Sequence, residues 1–280
     1  MGALYVVATP IGNLEDITLR ALRVLGQVGL IAAEDTRRTR RLLSVHGIRT
    51  PVTSYHEHNK RTKLKYLLRR LGEGDVALVS EAGMPGLSDP GYELIASAIA
   101  TGTEVVPVPG PSVVLTALVV SGLPTSQFTF LGFLPRRQGE RRRLLSSVAG
   151  EGRTLVAFEA PHRLEGSLQD VLSVLTDRRI AVCREMTKVH EEVFRGTVSG
   201  ALQHFTEPRG EFTLVIEGAP TGEGHGQCAG IELEQEVLGL CRQGMRLKEA
   251  VEQVAVRAGV SKRVLYQRCK GKPGVANSTG

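Results

Sequence analysis

A loop rich in glycine, proline and carboxylates follows an apolar segment in the first third of this 280-residue chain. It reads VALVSEAGMPGLSDPG from Val76 to Gly91, and it carries Glu81 and Asp89 but no Lys or Arg. Loops that bind nucleotide phosphates combine backbone N–H groups with a basic side chain. The lack of a basic residue therefore favours a neutral or cationic ligand.

Two further turns of similar character follow other apolar segments. ATPIGNLEDIT, which includes Thr9, Pro10 and Gly12, comes directly after the first predicted strand, and VPGPS ends at Ser112 after another. The carboxyl ends of parallel strands lie along one edge of a sheet, where open α/β sheets bind ligands. We therefore predict that the three turns form one pocket and that Ser112 caps the following helix.

Charged residues that could take part in catalysis follow two other predicted strands. AEDTR places Glu34 and Asp35 where they could contact a substrate or, with Asp35 or Thr36 as the N-cap, begin a helix. CREMTKVHEE contains Glu185 and Lys188, and their spacing is typical of an ion-pair network. The residue types leave a functional role open in both segments.

The histidines and cysteines form no recognisable metal or disulfide pattern. His56 and His58 lie two residues apart in SYHEHNK without a third ligand, so we predict no metal site. The cysteines, which include no CxxC pair and fit a reducing cytosol, are Cys183, Cys228, Cys241 and Cys269. GxSxG, HExxH and P-loop motifs are missing from the sequence, which disfavours hydrolase and ATPase activities.

The chain is moderately basic, with 35 Lys and Arg against 29 Asp and Glu and a formal net charge of +6. Many arginines occur in short runs, among them RRQGERRR from Arg136 to Arg143. This composition favours a polyanionic partner. Because LYVVATP follows no basic leader and long apolar runs are missing, we expect a soluble cytoplasmic protein with no membrane partner.

Alternating apolar runs and helical stretches predict an α/β fold for most of the chain. We predict a first α/β domain with a mostly parallel sheet at residues 1–124 and a second with a mixed sheet at 125–219. A Gly-rich linker is predicted at 220–230, a helical RNA-binding domain at 231–272 and a disordered tail at 273–280.

The helical domain has the pattern of a helix-turn-helix. Val251, Val254, Ala255 and Ala258 keep helical spacing, Gly259 ends that helix, and Ser261 can cap the next one. The second helix carries Lys262, Arg263, Tyr266, Arg268 and Lys270. The alternative is a helical hairpin that packs on the body of the protein or on a second subunit.

Nine motifs, in order, resemble those of the bacterial ribosomal RNA small-subunit cytidine 2′-O-methyltransferase family, within the tetrapyrrole-methylase-like superfamily. They are TPIGNLEDIT, IAAEDTR, SYHEHN, VSEAGMPGLSDPGY, VPGPS, GFLPR, EAPHR, REMTK and GEFTLVIEG. The resemblance covers residues 4 to about 219, and the remainder resembles that family's C-terminal helix-turn-helix domain. It implies two α/β domains with S-adenosylmethionine in the cleft between them, usually in a homodimer. The implied reaction is methylation of the ribose 2′-hydroxyl of the decoding-site cytidine, conventionally numbered 1402, in 16S rRNA or the 30S subunit.

The resemblance also implies a set of cofactor contacts. These are Pro10, Gly83, Met84, Pro85, Leu87, Ser112, Val113 and Phe158. This sequence has Glu81 and Met84 where the family more often has Asp and Thr, which weakens any role for those two side chains but not for the backbone.

Transfer to a ribose hydroxyl needs positioning and a proton acceptor. The candidates are Glu34, Asp35, Glu185 and Lys188. A carboxylate could accept the proton, while Lys188 could steer a phosphate or stabilise a developing alkoxide.

Two other functions remain as alternatives. The first is methylation of a small tetrapyrrole, and the second is a DNA-binding regulator that senses a small ligand through its α/β part. The arginine runs and the basic helical domain favour an RNA substrate over a small one.

Overall fold

The computed structural model describes residues 2–220, 228–242, 245–258 and 262–270. The chain divides into two compact units, Met1–Gly218 and Ala219–Gly280. The first unit contains two sheets, each with its own helices, which we call the first and second domains, and the second unit contains helices. The predicted α/β fold with a small helical part is confirmed.

The first sheet is parallel throughout and has the order β3-β2-β4-β1-β5. Its strands are β1 (Leu4–Val7), β2 (Leu30–Ala33), β3 (Val52–Ser54), β4 (Val76–Val79) and β5 (Val105–Val108). In β1, Leu4 lies opposite Val76 of β4 on one side and Val105 of β5 on the other. The loop that follows β4, residues 80–91, thus leaves the sheet beside the end of β1.

Helices cover both faces of this sheet, which is why its central strands are apolar throughout. The helices are α1 (Leu19–Gln27), α2 (Thr36–Val45), α3 (Lys60–Glu73), α4 (Tyr92–Ala100) and α5 (Val113–Val120). Leu25 of α1 and Leu43 of α2 pack in one core layer with Ile31. Leu67 of α3 packs with Leu30 in the layer on the opposite face.

Helix α2 begins at Thr36, and of the two N-cap residues that the sequence offered, Asp35 is the one used. Its carboxylate accepts hydrogen bonds from the N–H groups of Arg37 and Arg38 at 2.7 and 3.1 Å. An aspartate N-cap satisfies donors that are otherwise unpaired in the first turn.

The second sheet is mixed, as predicted, with the order β6-β7-β10-β8-β9. Its strands are β6 (Phe128–Phe133), β7 (Thr154–Glu159), β8 (Arg179–Arg184), β9 (Glu192–Thr197) and β10 (Phe212–Ile216). β6 and β7 are parallel, whereas β10 runs antiparallel to both β7 and β8. The start of β10 therefore lies at the same edge as the ends of β7 and β8.

Three helices accompany the second sheet: α6 (Gln138–Ser147), α7 (Leu164–Leu175) and α8 (Val198–His204). The basic run RRQGERRR lies mostly in α6. Arg141 within it is buried, and its guanidinium is 2.5 Å from the carboxylate of Asp170 in α7. That arginine ties two helices together and is not available at the surface.

The second unit contains α9 (Cys228–Arg242), α10 (Leu247–Ala258) and α11 (Lys262–Cys269). Its core includes Val237, Val251, Val254 and Leu265. α9 starts at Cys228, so the last three residues of the predicted linker, 228–230, are helical. Residues 221–227, the proposed turn at Gly259 and Ser261, and the tail at 273–280 lie outside the described residues. Within the described ranges, no helix is both long and apolar enough to span a membrane.

Candidate functional site

A cavity of about 410 Å³ lies between the two sheets of the first unit. Loops at the ends of β1, β2 and β4 and the start of α5 line one side, and the ends of β6, β7 and β8 and the start of β10 line the other. The lining contains five carboxylates but no Lys, Arg or His. Those carboxylates belong to Glu34, Glu81, Asp89, Glu159 and Glu211.

The loop after β4 is held against the end of β1 by backbone hydrogen bonds. Thr9 N donates to Gly83 O at 2.9 Å, and Gly83 N donates to Thr9 O at 3.0 Å. Gly83 has a φ of +76°, a left-handed conformation that glycine adopts without strain. The Ser80 hydroxyl also donates to Ala82 O at 3.2 Å. These bonds set the position of the loop backbone that borders the cavity.

The carboxylates of the first domain lie close together with little compensation by cations. Glu34 Oε2 accepts a hydrogen bond from Glu81 N at 3.1 Å, and Arg38 pairs with Glu81 at 2.6 Å. Burial raises the pKa of Glu34 and outweighs the lowering effect of the hydrogen bond from Glu81 N, and the charge of Glu81 adds a smaller upward contribution. Burial and the charge of Glu34 raise the pKa of Asp89 to about 7. This wall of the cavity can therefore take up a proton near neutral pH.

In the second domain, by contrast, two carboxylates share a lysine. Lys188 Nζ lies 3.0 Å from Glu185 Oε1 and 2.9 Å from Glu211 Oε2, and Glu211 N donates to Glu185 Oε1 at 2.8 Å. Burial by itself would raise the pKa of Glu185, but the hydrogen bonds from Glu211 N and Lys188 outweigh it and lower that pKa. Burial would lower the pKa of Lys188, but the same two carboxylates raise it. Both groups remain charged as a pair.

The segment after β8 has a strained backbone and contacts the first domain. Glu185 and Thr187 have φ values of 49° and 66°, which non-glycine residues adopt at an energetic cost. A Cβ atom on Gly12 would lie 2.6 Å from Cγ of Lys188 and 2.7 Å from the carbonyl oxygen of Met186. Glycine is required there because the two domains approach so closely.

The structure brings most of the predicted cofactor contacts to the cavity. Those that line it are Gly83, Met84, Leu87, Ser112, Val113 and Phe158. Pro10 and Pro85 do not line it. Ser112 occupies the N-cap position of α5, but its side chain makes no capping hydrogen bond, contrary to the sequence prediction.

Of the four predicted catalytic residues, only Glu34 lines the cavity. Asp35 points its carboxylate at the N-terminus of α2. Glu185 and Lys188 do not line the cavity, but their partner Glu211 does. Glu34 and Asp35 are thus adjacent in the sequence, but only the first lines the cavity.

Several lining residues were not named from the sequence, chiefly Phe133, Met186 and Thr213, whereas Asp89 was named only as an acid of its loop. Phe133 packs edge-to-face on Phe158 with 5.2 Å between ring centroids. The motif GFLPR after an apolar strand was a signal for Phe133, because parallel strands end at one edge. Glu159 is buried and paired with Arg163 at 2.6 Å, so its charge is compensated.

Metal ligation finds no support in the described residues, where no cluster of three or more His, Cys, Asp or Glu is placed to hold an ion. The rings of His56 and His58 are 6.0 Å apart in an edge arrangement. Asn59 Nδ2 lies 3.2 Å from His56 Nε2.

Comparison with known proteins identifies relatives over almost the whole chain. The family model of Tetrapyrrole (Corrin/Porphyrin) Methylases matches residues 3–201. A protein of Halalkalibacterium halodurans named "Ribosomal RNA small subunit methyltransferase I" is 47% identical, over 95% of this chain and 93% of its own. A protein of that name from Thermotoga maritima is 52% identical over 221 residues, which are 78% of this chain and 99% of that relative. The Thermotoga maritima protein is thus about as long as Met1–Gly218 alone.

Solved structures show the same fold at low sequence identity. A diphthine synthase aligns with a TM-score of 0.60 and 14% identity over 77% of this chain and 90% of that one. A uroporphyrin-III-C-methyltransferase from Thermus thermophilus aligns with a TM-score of 0.53 and 21% identity over 77% of this chain and 94% of that one. The extent of these matches confirms the resemblance seen in the sequence motifs, and the chain belongs to the tetrapyrrole methylase family, among relatives named ribosomal RNA small subunit methyltransferase I.

Proposed function

We propose that this protein is a cytoplasmic methyltransferase that uses S-adenosylmethionine to methylate 16S rRNA, at the ribose 2′-hydroxyl of decoding-site cytidine 1402. The names of the relatives support methylation of small-subunit rRNA. The observation that carries the proposal is the cavity itself, which has five carboxylates and no basic residue in its lining.

The cavity fits S-adenosylmethionine in both charge and size. A sulfonium and an ammonium group are cations, and Glu34 and Asp89 offer negative charge to them. Small-molecule sites usually enclose about 300–1,000 Å³ and are largely apolar with a few polar groups, and this cavity has Leu87 and Phe158 among its apolar lining. The backbone at Gly83 and Met84, with Ser112 and Val113, would hold the cofactor. When bound, it would supply an electrophilic methyl group.

Glu34 is the best placed of the candidate residues to accept the proton of the ribose hydroxyl. It lines the cavity, and its raised pKa makes its carboxylate a better proton acceptor than an ordinary glutamate. Asp35 would act indirectly by starting α2. Glu185 and Lys188 would position Glu211, because Lys188 already donates to both carboxylates.

A methyl-transfer assay tests the proposed function directly. Labelled S-adenosylmethionine would be incubated with 30S subunits, free 16S rRNA, duplex DNA or a tetrapyrrole, each with the full-length protein. We expect label in rRNA and in no other substrate, with mapping to a 2′-O-methylated cytidine. Label in the tetrapyrrole alone, or ligand-dependent DNA binding without transfer, would support the respective alternative.

The helical unit is proposed to add RNA contacts. Its helix α11 carries Lys262, Arg263 and Arg268, and Lys270 follows it. Lys262 also pairs with Glu252, so this lysine already has an anionic partner. Truncation after Pro220 should weaken RNA binding and its salt dependence but leave S-adenosylmethionine binding intact. Full RNA affinity in the truncated protein would assign the unit to packing or subunit contacts.

A homodimer is proposed as the assembly. Helix α5 exposes Leu115 and Val119, one turn apart, and their exposed fractions are 52% and 72%. Apolar side chains at this spacing form a strip that a second subunit could cover. Light scattering should give twice the mass of one chain, and Val119→Glu should shift it toward the monomer. A wild-type protein with the mass of one chain would contradict the proposal.

A further inference from the structure

Arginines are concentrated in α1, α2 and the segment after α2. From Arg20 to Arg49 the chain has seven arginines, and its only acidic residues are Glu34 and Asp35. The arginines, all of them exposed, are Arg20, Arg23, Arg37, Arg38, Arg40, Arg41 and Arg49. This density of one charge is far above that of the chain as a whole.

These arginines lie on one side of the first domain. α1 and α2 pack in the same core layer, and α3 and α4 cover the opposite face of the sheet. Thr50, just after α2, donates its hydroxyl to Leu25 O of α1 at 2.6 Å. We refer to the surface carrying the seven arginines as the α1–α2 face.

The guanidinium groups of α2 are largely unpaired. Arg37, Arg40 and Arg41 share one side of the helix, and among the described residues no ion pair or hydrogen bond reaches any of the three guanidinium groups. Like charges at this spacing destabilise a helix, and α2 contains no acid to offset them. Arg38 is different, since it pairs with Glu81.

Other basic helices of the first unit pair part of their positive charge. In α3, Lys60 pairs with Glu57 and Glu93, and Arg70 pairs with Glu73. Arg137, which precedes α6, and Arg141 and Arg142 within it pair with carboxylates. These two segments also contain exposed arginines without an ion pair, namely Arg61, Arg69, Arg136 and Arg143. Among the described residues, however, the α1–α2 face leaves six of its seven arginines without one, all but Arg38.

The α1–α2 face is continuous with the cavity. α2 begins two residues after Glu34, which lines the cavity, and a groove of about 520 Å³ flanked by Arg40 and Arg49 lies at the other end of the helix. A helix of this length spans about 15 Å, enough to follow several phosphates of one strand. A nucleotide strand that enters the cavity can thus continue along α2.

We propose that the α1–α2 face binds the phosphate backbone of the substrate RNA beside the target nucleotide. This inference rests on the proposed function and adds a surface to it on the α/β unit. The length of the Thermotoga maritima relative supports such a location, since that protein is about as long as the α/β unit alone. Arginine is the side chain best suited to phosphate oxygens.

The test compares two full-length variants that each lose three positive charges. One carries Arg37→Gln, Arg40→Gln and Arg41→Gln, and the control carries Arg61→Gln, Lys65→Gln and Arg69→Gln, which are exposed residues of α3 on the opposite face of the sheet. Binding to a fluorescent 16S rRNA transcript is measured by anisotropy across a KCl series. Thermal midpoints and calorimetric S-adenosylmethionine binding check that both variants are folded.

The α2 variant should lose about 10- to 100-fold in RNA affinity near 0.1 M salt, and its salt slope should fall by about 2 to 3. The control should lose much less, and both should bind S-adenosylmethionine like the wild type. Equal losses in the two variants, an unchanged α2 variant, or a wild type that binds no RNA would overturn the proposal. The same binding series is measured with 30S subunits. If the α2 variant lost affinity for 30S subunits but not for the transcript, the proposal would be overturned in favour of a ribosomal protein contact.

A methyl-transfer assay with the same variants separates this surface from the proposed function. If the wild type binds RNA through α2 but transfers no methyl group, the proposed reaction fails while the surface stands. If rRNA is methylated with equal KM by the wild type and the α2 variant, the surface fails and the reaction stands.

Discussion

The two domains that form the walls of the cavity contain carboxylates in opposite electrostatic states. On the first domain, Glu34 and Asp89 lie together and both have raised pKa values. On the second, Glu185 has a lowered pKa because Glu211 N and Lys188 donate to it in spite of its burial. The carboxylates of the first domain are thus suited to exchange a proton or attract a cation, whereas those of the second form a fixed ion-pair network.

The origin of the difference is local on one wall and long-range on the other. Lys188 lies three residues after Glu185, so the chain supplies the cation close to the acid. Glu34 and Asp89 lie in loops after β2 and β4, and the pairing of these two strands brings the loops together. The Arg38 guanidinium pairs with Glu81, but the charge of Glu34 still contributes to the raised pKa of Asp89.

The largest effect should come from displacing the acidic loop, which would abolish the first wall. Gly83→Pro requires a φ near −65° in place of +76° and removes the N–H that donates to Thr9 O. S-Adenosylmethionine affinity should fall by at least about 100-fold, because the loop backbone must move. Calorimetry measures the change, and circular dichroism checks the fold.

Gly83→Ala is the matched control for the proline variant. The nearest side-chain atom to an added Cβ is Ile11 Cγ2 at 3.7 Å, an ordinary contact. Alanine at positive φ costs about 1–2 kcal/mol, so binding should be weakened modestly. Unchanged affinity in the proline variant would remove this loop from the cofactor site.

The second prediction compares one acid from each domain. Glu34→Gln should lower the single-turnover methyl-transfer rate about 100-fold or more, because the amide cannot accept the proton. Cofactor affinity should change by only a few-fold. Glu185→Gln should keep a near-normal rate, since its carboxylate does not line the cavity. Equal rate losses in the two variants, or a normal rate in Glu34→Gln, would contradict the assignment.

The third prediction concerns pH. In the folded protein Asp89 titrates with a pKa of about 7 instead of 3.8, so the folded state binds more protons than the unfolded state between those values. The free energy of unfolding should therefore fall as pH rises from about 4 to 7. Asp89→Asn should remove on the order of 1–2 kcal/mol of that fall, because water in the open cleft screens part of the shift.

Denaturant unfolding at several pH values, without cofactor, measures this dependence. Exposed Asp16→Asn serves as the control, and its profile should parallel that of the wild type. Parallel profiles for Asp89→Asn and the wild type would show that Asp89 is not a source of the pH dependence.

The smallest effect should come from removing Lys188, the cation shared by Glu185 and Glu211 of the second domain. Lys188→Met leaves Glu185 and Glu211 facing each other without their shared partner. The free energy of unfolding should fall by about 1–2 kcal/mol, since the pair is only partly buried. Adding Glu185→Gln to this variant should restore part of the loss, whereas simple additivity of the two changes would contradict a coupled network.

The loop and turns of the first domain were predictable because each is a contiguous segment after an apolar strand. Gly83, Met84 and Leu87 could be placed at the cavity from their motif, and the parallel sheet brought Ser112 to the same edge. The second domain was harder to predict. Thr213 reaches the cavity because β10 runs antiparallel between β7 and β8, a pairing that involves residues far apart in the chain.

The sequence by itself determined the fold class, the chemical character of the ligand loop and the family, because these depend on local patterns and motif order. Only the tertiary structure decided between Glu34 and Asp35. Successive residues at a strand end point in different directions, so one carboxylate lines the cavity while the next caps α2. It also decided which arginines are free for a partner, because pairing depends on acids such as Asp170 that only the folded chain brings near.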